Sequence, residues 1–157
     1  MMKKEIIILG AVVFILISGY TFYFQTKNKP NISRGELTLY KTPNCGCCEN
    51  YVTYLESQGF KVKKVNVDED KLYGIKKSNG IPENLWSCHT AFLNNYFIEG
   101  HIPIEAIEKL LNEKPEIQGV ALPEMPSGSP GMPGFKLAPF KIHSVKNGQD
   151  LGIFIEL

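Results

Sequence analysis

The sequence predicts a mixed α/β domain behind a separate apolar N-terminus, on three observations. Residues 36–67 read as strand, helix, strand; residues 90–111 read as an antiparallel hairpin followed by a helix; and Cys45-Gly46-Cys47-Cys48 stands at the first strand-to-helix turn. A strand–helix–strand start joined to an antiparallel hairpin implies a mixed sheet with helices packed on it.

The elements follow in order. Glu36 to Lys41 alternates as a strand, and Thr42-Pro43-Asn44 breaks it. Cys48, Tyr51, Val52 and Leu55 recur at helical spacing, with Gly59 where a C-terminal cap belongs. Lys61 to Val67 alternates again, although its phase slips at Lys63-Lys64. Asp68-Glu69-Asp70 is an acidic first turn for a second helix ending near Ser78-Asn79-Gly80. Ile81 to Ser87 reads as a loop. Thr90 to Leu93 and Tyr96 to Ile98 flank Asn94-Asn95, a two-residue hairpin turn.

Pro103 suits the first turn of a third helix, which carries Ile104, Ile107 and Leu111 on one face and stops at Pro115. The Pro- and Gly-rich tract from Pro123 to Pro139 excludes regular structure. Lys141 to Val145 and Gly152 to Leu157 then make a C-terminal hairpin about Lys146-Asn147-Gly148-Gln149. The order is β-α-β-α-β-β-α plus an extra hairpin. With cysteines at the first strand-to-helix turn, this is the thioredoxin-like pattern.

The chain has 157 residues, enough for one domain and an appendage. Hydrophobic residues make up 43% and charged residues 21%, which excludes wholesale disorder. The net charge of +1 lacks the basic excess of a nucleic-acid binder. Four cysteines are too few, and too clustered, for a disulfide scaffold.

Residues 1–30 form the appendage and residues 31–157 the domain. Ile6 to Phe24 carries no charge, and its 19 residues suffice to span a bilayer as one hydrophobic helix. Lys3 and Lys4 precede it, and Tyr20, Phe22, Tyr23 and Phe24 cluster at its far end. No Ala-x-Ala site follows, which favours an uncleaved signal anchor over a cleavable export signal. Lysines flank both ends, so charge alone leaves the orientation open. Without residues 1–30 the balance is 13 basic against 15 acidic, which gives no reason to dock on anionic lipid.

Thiols at a helix N-terminus feel the positive end of the dipole and its unpaired N–H groups, which favour the thiolate that binds metals and attacks disulfides. Cys45 and Cys48 lie one turn apart and can meet. Cys47 points elsewhere if the helix has begun, or inward if the loop stays extended. Cys88 precedes the third strand, where redox members of the fold carry a cis-proline, and so faces the other three thiols. Convergent sulfur suits Cu(I) or Zn(II) far better than hard cations.

His89, in a strand, would point away from its neighbour's face, and a hydrogen-bonded structural role competes with ligation. His101, before Pro103, is a candidate ligand or supporting residue. Met125 and Met132 bracket a loop; their thioethers suit Cu(I), and gap-filling is the alternative. His143 reads as ordinary surface.

These residues resemble a known family. Tyr40-Lys41-Thr42-Pro43-Asn44-Cys45-Gly46-Cys47-Cys48, Ile81-Pro82, Ser87-Cys88-His89-Thr90-Ala91, Glu99-Gly100-His101-Ile102-Pro103 and Gly119 through Met132 (GVALPEMPSGSPGM) occur in the order and spacing of the CopG type. These are small exported metal-binding proteins with a thioredoxin-like fold, linked to copper resistance in bacteria. The resemblance covers about Leu37 to Leu157. It implies a periplasmic or otherwise extracytoplasmic copper-handling domain, with metal-site roles at Cys45, Cys47, Cys48 and Cys88 and lesser ones at His89, His101, Met125 and Met132. It also implies copper as cargo, Cu(I) above all, and other periplasmic copper-handling proteins as partners. The competing readings are a thiol–disulfide oxidoreductase using Cys45 and Cys48, and a structural zinc site.

Overall fold

The computed structural model describes Tyr20 and residues 34–157. The chain divides into two units, Met1–Ile32 and Ser33–Leu157, and the fold below belongs to the second. The expected membrane segment from Ile6 to Phe24 lies, apart from Tyr20, outside the described residues. Among the described residues no helix is long and apolar enough to cross a membrane.

Seven strands form one mixed sheet. In chain order they are β1 (Glu36–Lys41), β2 (Lys61–Asn66), β3 (His89–Leu93), β4 (Tyr96–Glu99), β5 (Gly119–Ala121), β6 (Lys141–Lys146) and β7 (Gln149–Glu156). Their spatial order is β2-β1-β3-β4-β5-β6-β7. β1 pairs in parallel with β2 and β4 with β5; the other neighbours are antiparallel. The helices are α1 (Gly46–Ser57), α2 (Glu69–Ser78) and α3 (Ile104–Glu113). The thioredoxin-like order expected from the sequence is therefore present, with two additions. β5 is a three-residue strand too short to show alternation, and Glu83–Leu85 forms one 3-10 turn inside the expected loop. The C-terminal hairpin is also tighter than expected, closing at Asn147-Gly148, both with positive φ.

Strand alternation sorts the molecule into layers. Leu37, Leu39, Ala91, Leu93, Ile98 and Val120 pack against Tyr51, Val52 and Leu55 of α1 and Ala106, Ile107 and Leu110 of α3. Phe97, Ala121 and Val145 point to the other face, where they meet Ile81 and Leu85. Each fully buried Leu or Ile contributes roughly 1.5–3 kcal/mol, so the large α1–α3 layer dominates stability. α3 has no side-chain cap of its own. Its first N–H, at Ile104, donates instead to the Tyr54 hydroxyl at 2.8 Å, which fixes α3 to α1. α2 begins at Asp68, whose carboxylate accepts from the Lys71 N–H at 2.8 Å.

Candidate metal centre

The site is built where β1 hands over to α1. Cys45 is the last extended residue and α1 starts at Gly46, so Cys45 occupies the cap position without a side-chain cap bond. The preceding turn is held by Lys41. Its side chain is buried, and its ammonium donates to the carbonyls of Thr42 (3.2 Å) and Pro43 (3.5 Å) and pairs with Glu49 at 2.7 Å. Hydrogen bonds from Lys41 and Lys64 hold the Glu49 carboxyl below its ordinary value.

All four sulfurs converge. Cys45 and Cys48 form a disulfide with their Cα atoms 5.3 Å apart, as one helical turn allows. Cys47 and Cys88 are free thiols. Although α1 has already begun, the Cys47 sulfur reaches within 3.5 Å of Cys45 and 3.8 Å of Cys88. Cys88 lies 3.5 Å from the Cys48 sulfur. Burial first, and the neighbouring Cys47 thiol second, push the Cys88 thiol up to about 12. The helix-terminal bias toward thiolate therefore does not extend to Cys88, and a metal binding there would have to displace its proton.

Two imidazoles complete the centre. His101 Nε2 stands 3.1 Å from the Cys88 sulfur, and its Nδ1 lies 2.7 Å from the Pro130 carbonyl. A carbonyl only accepts, so Nδ1 carries the proton and Nε2 presents a lone pair to the thiols. Burial lowers the His101 pKa and favours this neutral form.

His89 departs from expectation. It does not point away from Cys88: its Nδ1 lies 3.3 Å from that sulfur. Cys88 sits in the bend before β3, so strand alternation does not separate the pair. Alternation from His89 through Ala91 and Leu93 in fact turns His89 toward α1. Its Nε2 is buried without a hydrogen-bond partner among the described residues, and burial drives its pKa well down. The Tyr51 ring packs against both imidazoles, with centroids 4.8 Å from His89 and 5.2 Å from His101. Its hydroxyl donates to the Ile102 carbonyl at 2.9 Å.

The irregular tract from Leu122 to Phe140 walls one side. Gly131, at φ +82°, lies directly on α1; a Cβ there would come within 2.6 Å of the Tyr51 nitrogen. Asn50 Nδ2 donates to the Gly131 carbonyl at 3.3 Å. Met132 follows immediately and is half-buried. Met125 lies earlier in the loop, exposed and with positive φ. His143 is remote and pairs with Asp150 at 2.9 Å. A groove of about 500 Å³ under the loop, lined by Leu122, Leu137, Phe140 and His143 among others, contains none of the cysteines.

Sequence reasoning missed a buried network on the opposite face of the sheet. Lys76 of α2 and Glu99 of β4 are fully buried and paired. Glu99 also accepts from the Thr90 hydroxyl and the Ser87 N–H, each at 2.6 Å. Burial lowers the Lys76 pKa and raises that of Glu99, and their contact opposes both shifts. Lys76 sits in a Lys-Lys pair on a polar helix, and no local pattern marks it as buried.

Residues 37–82 match the family described as Glutaredoxin, and residues 85–132 match "Protein of unknown function, DUF411". No curated protein matches the chain. Among solved structures, one titled "Copper resistance protein copG- Form 2" is 35% identical with a TM-score of 0.69, covering 78% of this chain and 97% of that one. The chain belongs to the CopG family. A second CopG structure, Form 1, is 33% identical with a TM-score of 0.69, covering 78% of this chain and 96% of its own. The glutaredoxin match spans the part of this CopG-family chain that carries Cys45, Cys47 and Cys48. The other match spans Cys88, His89, His101, Met125 and Met132. The thiols thus come from both matched stretches and meet between them.

Proposed function

We propose that this domain is an extracytoplasmic copper-binding protein that holds Cu(I) in its cysteine-rich centre and contributes to copper homeostasis and resistance. One observation carries the reading: the ligand atoms of Cys45, Cys47, Cys48 and Cys88 all lie within 4.8 Å of one another, and those of Cys88, His89 and His101 do likewise. The donor set is soft sulfur with imidazole beside it, which suits Cu(I) over hard cations. The titles of the two CopG structures support copper as the metal.

The residues divide the work. Exchange with an external dithiol, which is oxidised to its own disulfide, would open Cys45–Cys48 to two thiols, and all four cysteines then bind as copper displaces their protons. His101 offers Nε2 because Pro130 holds its other nitrogen. His89 offers a second imidazole, and Met132 and Met125, on the loop after β5, are the lesser candidate donors. Tyr51 and the loop about Gly131 keep water from the buried side.

Residues 1–30 serve in this reading as membrane anchor or signal segment and tether, with residues 6–24 in the inner membrane and residues 31–157 outside the cytoplasm. The uncharged run after Lys3-Lys4 supports this. Other extracytoplasmic copper-handling proteins would exchange metal with it. The test is titration of the reduced full chain, oxygen-free and in mild detergent, with Cu(I) against a strong chromogenic chelator. Tight binding that is lost in a Cys45/Cys48/Cys88 triple Ser variant supports the reading; copper fully stripped from the wild type ends it.

A second reading has its own observation. Cys45 and Cys48 stand as a disulfide-bonded C-x-x-C pair at the N-terminus of α1, the form in which such a pair exchanges with a substrate thiol. Insulin reduction by the metal-free reduced protein separates this oxidoreductase from the copper protein.

A further inference from the structure

The buried Lys76–Glu99 pair invites a functional explanation because stability does not supply one. Both side chains are fully withdrawn from water. Replacing such a pair by apolar residues of similar size is often neutral or stabilising. The partners of the pair point to its role. The Glu99 carboxylate accepts from the N–H of Ser87, the residue before Cys88, and from the hydroxyl of Thr90, two residues after Cys88. Glu99 itself lies two residues before His101. One carboxylate therefore grips the chain on both sides of Cys88, and belongs to the strand that leads into His101. Lys76 reaches across from α2 to the same carboxylate and to the Thr90 hydroxyl at 3.0 Å.

The two arms are also in contact at Gly100. A Cβ there would stand 2.7 Å from the Ser87 hydroxyl and 2.6 Å from the Leu122 carbonyl. The Gly100 N–H donates to the His89 carbonyl at 3.2 Å. The result of this bracing, on the other face of the sheet, is the 3.1 Å approach of His101 Nε2 to the Cys88 sulfur.

We propose that Glu99 and Lys76 are positioning residues for the metal centre, an ion pair on the far face of the sheet that presets the spacing between Cys88 and His101. This rests on the copper reading above for its functional consequence, but not for its geometry. Neither residue touches the metal. Glu99 holds both arms at the separation a two-donor grip needs, and Lys76 holds Glu99. Preset donors pay less ordering cost when the ion arrives.

The test compares three variants of the reduced full chain. Glu99→Asp keeps the charge pair but withdraws the carboxylate by one methylene from Ser87. Lys76→Met with Glu99→Leu removes the network and leaves no buried charge. Lys76→Met with Glu99→Gln removes the charges but keeps an acceptor for the Ser87 N–H. Cu(I) affinity is read by chelator competition, histidine coordination by copper X-ray absorption, and folding by thermal melting. The first two variants are expected to melt cooperatively, to bind Cu(I) about tenfold or more weakly, and to lose nitrogen scattering, the scale seen for outer partners of metal ligands. The third is expected to bind more tightly than the second and more weakly than the wild type, because it keeps an acceptor for the Ser87 N–H and loses the hold from Lys76; affinity equal to the wild type would remove Lys76 from the proposal.

Wild-type affinity with unchanged nitrogen scattering in Glu99→Asp overturns the proposal, whether or not the Leu variant folds. If the wild type takes up no Cu(I), it is the copper reading that fails. The spacing is then measured in a crystal structure of metal-free Glu99→Asp. A Cys88–His101 separation still near 3.1 Å overturns the proposal, and a separation beyond hydrogen-bonding range upholds it.

Discussion

The lone pair of His101 Nε2 faces the Cys88 sulfur at 3.1 Å because the Pro130 carbonyl occupies the other ring nitrogen. A loop with no regular structure thus chooses the tautomer of a candidate ligand. His101→Phe keeps the ring shape and removes the lone pair. Its Cu(I) affinity is expected to fall about tenfold at least, since even outer partners of ligands are worth that much. Equal affinity in a chelator competition would remove His101 from the site.

The Cys45–Cys48 disulfide withholds two of the four sulfurs. The protein in this state is expected to show two reactive thiols after denaturation, from Cys47 and Cys88, and the reduced protein four. Cu(I) uptake should follow the same division and be much weaker before reduction, because a disulfide sulfur has no thiolate charge to offer. Equal uptake by both forms would mean that copper sits elsewhere.

Gly131 is where the loop touches α1. Alanine there meets two obstacles, a φ of +82° and a Cβ only 2.6 Å from the Tyr51 nitrogen and 2.9 Å from its Cα. The atoms in the way are backbone and cannot swing aside. Gly131→Ala is expected to cost about 1–3 kcal/mol in urea denaturation. It should also lift Pro130 from His101 and weaken Cu(I) binding. Loss of stability with unchanged affinity would separate the loop from the site.

How much of this was legible in the sequence depends on distance along the chain. Glu36 to Lys41 and the turn at Asn94-Asn95 are local patterns, and the structure places both as read. The helix from Gly46 is announced by its apolar spacing, and the meeting of Cys45 with Cys48 follows from one turn of helix. β5 was missed because three residues, Gly119–Ala121, carry no period. His89 was misjudged because the strand starts at His89 itself, so alternation says nothing of Cys88. Lys76 left no trace, and Glu99 stood in a matching motif with nothing to mark its partner. They are 23 residues apart, Lys76 sits in an ordinary polar context, and only the packing of α2 on the sheet makes them a pair.

Acid stability offers a check far from the thiols. Burial raises the Asp150 carboxyl, but the Gly152 N–H and the His143 side chain outweigh it and leave it below its ordinary value. A depressed carboxylate contributes stability above its unfolded value of roughly 3.9, and that contribution is lost as pH falls through the lower folded value. Asp150→Asn should therefore be less stable than wild type at pH 7, with the gap narrowing below pH 4. Urea denaturation at both ends of that range measures it, and a constant gap would contradict the assignment.

The loop over the thiols leaves the sheet after Ala121 and returns at Lys141, and these departure and return points lie on adjacent paired strands, with Ala121 opposite His143. Its two ends are therefore fixed by ladder hydrogen bonds whatever lies between them. A change inside this segment can therefore reach the site through Pro130 and Gly131 without shifting β3 and β4, the strands that flank Cys88 and His101. The thiol floor and the wall beside it are thus anchored separately, so the wall can alter the donor that faces Cys88 without reshaping the floor.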